Sequence, residues 1–167
     1  MAEPITMKKR RFFISTTPQQ STLDEAGFAA LSYTEVTGVG TLPQTGPSTN
    51  IVSFDTLDTE VTFKQRGITD AGGGDLVLAR NGTDPGQVAM RAAALTNFNY
   101  AFKITDNDAP PFVAPATGST PTTYYNRGIV TGPTHPGGGN EDFITEVFTL
   151  AMNQLEVVVE AAVTPGP

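Results

Sequence analysis

Any catalytic chemistry in this chain would have to begin at His135, its single imidazole. His135 lies in Pro133-Thr134-His135-Pro136-Gly137-Gly138-Gly139-Asn140, a run of turn formers with no nucleophile-elbow motif beside it. A Ser-His-Asp relay needs its base oriented by a third group, and a Pro/Gly turn offers no such support, so His135 reads as a turn residue. The chain has no cysteine, which excludes disulfides, thiol catalysis and Cys-ligated zinc or iron–sulfur centres, and one histidine excludes a multi-histidine metal site. Asp106-Asn107-Asp108 has the alternating carboxylates of a calcium loop but lacks the central Gly and the later bidentate Glu. It reads as a turn that caps its own backbone. Gly72-Gly73-Gly74 and Gly137-Gly138-Gly139 lack the following Lys-Ser/Thr of a phosphate cradle and open no helix.

The 17 acidic residues could hide a carboxylate pair for glycoside chemistry, but two carboxylates can be found in any acidic β-protein. Most of them read as a solvated face. Glu60, Glu146 and Glu156 differ in falling inside strand-like segments, on what reads as the polar phase, and so mark one sheet face as acidic. The residues together point to a protein that is not an enzyme and needs no cofactor or metal.

The balance of 10 Lys+Arg against 17 Asp+Glu, net −7, disfavours non-specific binding to nucleic acid or anionic membrane. Twenty-five threonines, 17 glycines and 13 prolines, with only 16% charged residues, describe extended structure with many turns. A chain of 167 residues is one domain, 1–167, with mobile ends expected at about 1–10 and 164–167. Nothing at the start resembles a signal peptide, and no stretch approaches the roughly 20 apolar residues of a membrane span. The expectation is a soluble protein made in a cytoplasm.

The elements follow from periodicity. Phe12-Phe13-Ile14-Ser15, Tyr33 to Thr37, Ile51 to Asp55, Glu60 to Lys64, Asp75 to Arg80, Tyr100 to Thr105, Thr122 to Gly132, Phe143 to Met152 and Leu155 to Val163 read as strands. Ser21 or Thr22 is expected to cap a short helix. Gly67 to Gly74 reads as a glycine-rich connection, and Pro110 to Pro121 as a mobile hairpin tip. One firm helix is expected at about residues 85–95. Asp84 is its N-cap, Pro85 its first residue and Gln87 the capping-box partner, with Val88, Ala92 and Leu95 as the packed stripe and Ala89 and Ala93 beside them. The fold class is mainly β, an antiparallel sandwich or barrel with one flanking helix.

The order of segments adds a resemblance. Leu31-Ser32-Tyr33-Thr34-Glu35-Val36-Thr37-Gly38-Val39-Gly40 is followed by Phe54-Asp55-Thr56-Leu57-Asp58 and Lys64-Gln65-Arg66-Gly67-Ile68-Thr69-Asp70-Ala71-Gly72. Then come Asp84-Pro85-Gly86-Gln87 with its alanine helix, Tyr100-Ala101-Phe102-Lys103, Tyr124-Tyr125-Asn126-Arg127-Gly128 and the strands from Phe143. This succession, over about residues 8–163, resembles the tail tube proteins of long non-contractile phage tails, the lambda-like class.

The resemblance implies a phage tail tube fold whose subunits form hexameric rings stacked into a hollow tube, with neighbouring sheets joined into one lumen. It implies a long loop, about Ser48–Gly67 or onward to Gly74, reaching across rings. Lys8, Lys9, Arg10, Arg11, Asp55, Asp58, Lys64 and Arg66 are then the candidate inter-ring contacts, and Glu60, Glu146 and Glu156 the candidate acidic lumen face. The implied partners are other copies of the chain, a tape measure protein, tail terminator and tail tip proteins, and phage DNA in transit without specific binding; no membrane is involved. The implied location is the virion tail, assembled in the bacterial host cytoplasm. The alternative is the tube of a contractile tail or secretion system, or a virion decoration protein.

Overall fold

The computed structural model describes residues 6–58 and 60–166. The first five residues of the expected mobile N-terminus, and Pro167, lie outside them. The elements run β1 (Arg11–Ser15), α1 (Glu25–Ala29), β2 (Tyr33–Val36), β3 (Val39–Thr41), β4 (Thr45–Phe54), β5 (Phe63–Ala79), α2 (Pro85–Ala94), β6 (Tyr100–Thr105), β7 (Gly118–Thr120), β8 (Thr123–Thr134), β9 (Thr145–Met152), β10 (Val157–Val159) and β11 (Ala162–Thr164). No helix among the described residues is long and apolar enough to cross a membrane.

The main sheet runs β2-β1-β6-β8-β9-β5-β3, with β10 added to β8 and β4 to β5, every pairing antiparallel. The mainly β antiparallel class with a flanking helix is the architecture found. The two edges of the seven-strand path, β2 and β3, are consecutive in the chain, separated only by Thr37 and Gly38. Three Cα steps span at most about 11 Å, so the sheet must roll until its edges nearly meet.

The inner face of the roll carries the core. Phe12 and Ile14, Phe102 and Ile104, Leu76 and Leu78, and Phe148 and Leu150 alternate along their strands and are almost wholly buried. Phe12 stacks on Phe102 with ring centroids 5.8 Å apart.

Helix α2 closes the seam. Asp84 is its N-cap and accepts from Gln87 N at 2.9 Å, and Pro85 opens the helix as its sequence requires. Asp84 also accepts from Thr37 Oγ1 at 2.7 Å. Gln87, fully buried, donates through Nε2 to the carbonyls of Thr37 and Ala79, each at 2.9 Å, while its Oε1 accepts from Asn81 N at 2.8 Å. One amide thus ties the β2–β3 link to the end of β5. The buried stripe of α2 is Gly86, Gln87, Met90 and Ala93; of the expected residues Ala93 is buried and Ala89 packs on the core, while Val88, Ala92 and Leu95 face out. The seam's need for polar partners turned the helix, overriding hydrophobicity.

Three further expectations change. The cap of α1 is Asp24, which accepts from Gly27 N, rather than Ser21 or Thr22. Gly67 to Gly74 is no connection but the middle of the 17-residue β5. There β5 passes from pairing with β4 to pairing with β9, and a Cβ on Gly73 would lie 2.5 Å from Leu150 O, so only glycine fits the crossing. At the C-terminus, Thr164 is not part of a loose tail but pairs with Gly118 in a small β11–β7 ladder, which also gives the 110–121 segment a strand.

Gly86 tests the seam. A Cβ there would sit 2.1 Å from Glu35 O, whereas one on Gly82 would meet nothing within 4 Å. Gly86→Ala is expected to cost about 2 kcal/mol or more despite alanine's better helix propensity. For a chain of this length that lowers the melting temperature by roughly 5 °C. Gly82→Ala is the control, expected to melt within about 1–2 °C of the parent; equal melting of the two variants would show that α2 does not press on β2.

Candidate functional site

The outermost feature is an arm. From Phe63 to Gly72, β5 pairs only with β4, in the register Phe54 opposite Phe63 and Ser53 opposite Lys64. At about 3.3 Å per residue this two-stranded ribbon projects roughly 30 Å beyond the rolled sheet. It is the expected Ser48–Gly67 loop, ordered as a hairpin. Ile51, Val52, Phe54, Leu57, Val61, Phe63 and Ile68 are all exposed along it, Leu57 completely. A lone two-stranded ribbon is marginal in water, and such a concentration of large apolar side chains marks a surface that binds. Asp55, Asp58 and Glu60 are exposed around its tip, with Lys64 and Arg66 on the stem, where Arg66 Nη2 donates to Thr49 Oγ1 at 3.2 Å.

The expected acidic face does not exist as a face. Glu60 precedes β5, which starts at Phe63, and lies in the tip loop. Glu156 precedes β10 and accepts from Asn126 Nδ2 at 3.2 Å. Glu146 is 1% exposed, on the same phase of β9 as Phe148, Leu150 and Met152, so it points into the core. It is held there by Arg80 Nε at 3.0 Å and by Arg91 of α2 at 3.0 and 3.2 Å. Burial pushes the Glu146 carboxyl up, but hydrogen bonds from Arg91 and Arg80 and their charges outweigh it and leave the pKa below its usual value.

The N-terminal cations also divide. Lys8 and Lys9 are exposed in a turn before β1. Arg10 is spent on Asp106 and lies 5.2 Å from the Tyr124 ring centroid. Arg11 forks onto Glu35 at 2.7 and 2.5 Å. Lys8, Lys9 and Arg10 precede β1 and Arg11 begins it, so none of them lies on the arm. Asp106 and Asp108 satisfy protein groups, Asp108 accepting from Thr122 N at 2.8 Å. Among the described residues no three His, Asp or Glu side chains gather as a metal would require.

What sequence reasoning missed is a small polar patch on the outer face of β5, β9 and β8. Asp75 stands opposite Thr149, and Thr149 opposite Thr131. Thr149 Oγ1 donates to Asp75 Oδ1 at 2.7 Å, and all three side chains are exposed. The alternation of Leu76 and Leu78 with Asp75 was the available signal.

This geometry has a solved counterpart. A chain in the cryo-electron-microscopy structure of the anti-feeding prophage baseplate, six-fold symmetrised, superposes with a TM-score of 0.64 at 8% identity, covering 96% of this chain and 98% of that one. The two share a fold. No protein-family model matches the chain. No curated protein matches it.

The Glu146 cluster makes a measurable prediction. Because its folded pKa is depressed, its stabilisation is full above the unfolded value of 4.5 and is lost as pH falls through the folded value. Glu146→Gln is expected to cost about 2–4 kcal/mol at pH 7, the lower end applying because both arginines can turn to water. Denaturant titrations at pH 7 and pH 3 should show that cost shrinking at the lower pH; an equal cost at both would remove the ion pairs from the account.

Proposed function

We propose that this protein is a non-enzymatic structural subunit that assembles with its own copies into six-membered rings, stacked as the hollow tail tube of a phage or phage-like particle. The observation that carries this is the β4–β5 arm. Burying Phe54, Leu57, Val61 and Phe63 against a neighbour would contribute roughly 6–12 kcal/mol, comparable with the cost of association. No fold of a single subunit covers these side chains. The shared fold with a chain of a six-fold baseplate supports the ring. The outer patch of Asp75, Thr131 and Thr149, polar and without a cation, suits a lumen wall that passes DNA without the salt-dependent sticking that Lys and Arg produce. The partners in this reading are the copies of the chain, a tape measure protein inside the tube, terminator and tip proteins at its ends, and DNA in transit. The particle is built in the bacterial host's cytoplasm.

A second reading takes its support from the neighbour's own assembly: the subunit forms a ring of a baseplate, or the tube of a contractile tail or secretion system. Both readings share the arm, and a baseplate ring differs from a tube in how many rings stack.

Concentrated purified protein is expected to show rings or hollow tubes by negative-stain electron microscopy. Long tubes favour the tail tube and single rings the baseplate. Replacing residues 50–68 with an Asn-Gly turn keeps Thr49 opposite Thr69. That variant should melt like the parent yet stay monomeric by light scattering. A parent that is monomeric at every concentration, or an armless variant that still assembles, would sink the proposal.

A further inference from the structure

On the outer face of β2, β1 and β6 lies a cation that makes no ion pair among the described residues. Lys103 stands opposite Phe13 on β1 and Tyr125 on β8. Its Nζ lies 4.4 Å from the Phe13 ring centroid and 4.9 Å from that of Tyr33. The clamp is built in advance. Tyr33 donates from its hydroxyl to Phe28 O at 3.0 Å, and its ring leans on Tyr125, which stacks on Phe28 with centroids 5.3 Å apart. Of the acids near the clamp, Glu35 is already engaged by the Arg11 fork, and Glu25 of α1, whose charge acts on Tyr125, is exposed. Among the described residues no carboxylate forms an ion pair with Lys103. Burial, and then the positive charge of Arg11, lower the pKa of its ammonium. A half-buried cation between two rings, with a like charge beside it, is a ready seat for an anion.

We propose that this clamp receives an acidic side chain from the arm tip of a second copy, with Asp58 as the carboxylate and Leu57 packing beside the Phe13 and Tyr33 rings. The proposal rests on the self-assembly reading above and names the surface that the arm engages. Three observations select this occupant. The tip alternates apolar and acidic groups, Phe54-Asp55, Leu57-Asp58 and Glu60-Val61, all exposed, which matches a seat made of rings around an ammonium. The donor arm comes from another subunit in this proposal, because a subunit's own arm leaves the sheet at β5, three strands from β6, and its tip side chains are exposed rather than packed on its own body. A nucleic-acid backbone is a poorer match, since it would need several free cations in line, and here Arg11 is already paired, leaving Lys103 alone.

The test uses full-length protein in its assembled form. Light and heavy isotope-labelled copies are co-assembled and treated with a carbodiimide, which joins an amine to a carboxylate only where they touch. The expected product is a mixed-isotope peptide linking Lys103 to Asp58. Lys103→Glu and Asp58→Lys should each raise the protein concentration needed for assembly by about tenfold or more. The double variant should return it to within about threefold of the parent, with melting temperatures unchanged throughout. If Lys103→Glu disturbs the fold, Lys103→Gln should still raise the threshold by at least about threefold. Assembly of both charge-reversed variants at the parent's threshold, or a Lys103 link to any other carboxylate, would overturn the docking and leave the assembly reading intact. So would loss of duplex-DNA binding in Lys103→Glu without loss of assembly, which would give the seat to phosphate. A parent that never assembles would overturn both.

Discussion

A sheet whose two edge strands follow one another in the chain has to be closed at the link between them, and here that closure depends on Asp84 and Gln87. The Thr37–Gly38 link brings carbonyls and amides to a place where no ladder can pair them. Asp84 takes the Thr37 hydroxyl and the first turn of α2, and Gln87 takes the Thr37 and Ala79 carbonyls. Ala79 N donates to Gly38 O at 2.8 Å, which completes the seam. Asp84 and Gln87 are themselves buried, and each would cost about 1–3 kcal/mol if left without these partners. Once the seam is closed, α2 is fixed over the inner face, Met90 and Ala93 enter the core, and Arg91 is brought to Glu146.

The arm follows from the same closure. Among the described residues β5 is the only strand that belongs both to the rolled sheet and to the ribbon beyond it. Its inner half is buried by alternation at Leu76 and Leu78, while its outer half has no second layer to pack on. The glycines between the two halves let the backbone pass close to Leu150 and to Gly46. A rigid body anchors one end of β5 and presents the other to whatever lies outside the subunit. Stability of the body and availability of the arm are therefore separable.

Much of this was legible in the residues. The Asp84-Pro85 start of α2, the strands at Phe12, Tyr33, Tyr100 and Phe148, and the mainly β class all follow from capping chemistry and period-two alternation. The failures share a cause. Gln87 and Glu146 are polar side chains on buried phases, satisfied by groups 50 and 55 residues distant in the chain. A rule that sends polar residues outward assigned Glu146 to a surface and turned α2 toward Val88 and Leu95. The glycine-rich stretch failed in the opposite sense, since glycine signals a turn locally but here serves a crossing that exists only once β9 and β4 are in place. Asp55, Asp58, Lys64 and Arg66 fall on one hairpin whose local pairing sets Lys64 opposite Ser53 and Arg66 opposite Ile51. Lys103 went unremarked because its clamp is assembled from three different strands.

The distribution of charge separates the cations by type. Arg10, Arg11, Arg80 and Arg91 each pair with a carboxylate, and Arg127 donates to the carbonyls of Gln19 and Gln20, both at 2.7 Å. Their planar forks hold loops, edges and α2 in place. Lys8, Lys9, Lys64, Arg66 and Lys103 remain, and among the described residues none of them has a carboxylate partner in the subunit. Against them stand Asp55, Asp58 and Glu60 on the arm tip, equally free of cations. A chain of net charge −7 repels its own copies at long range. Close approach therefore needs local complementarity, set at the points where the surfaces meet. Free lysines on the body and free carboxylates at the end of a long apolar arm supply it, and screening by salt weakens the repulsion between copies sooner than it weakens contacts that exclude water.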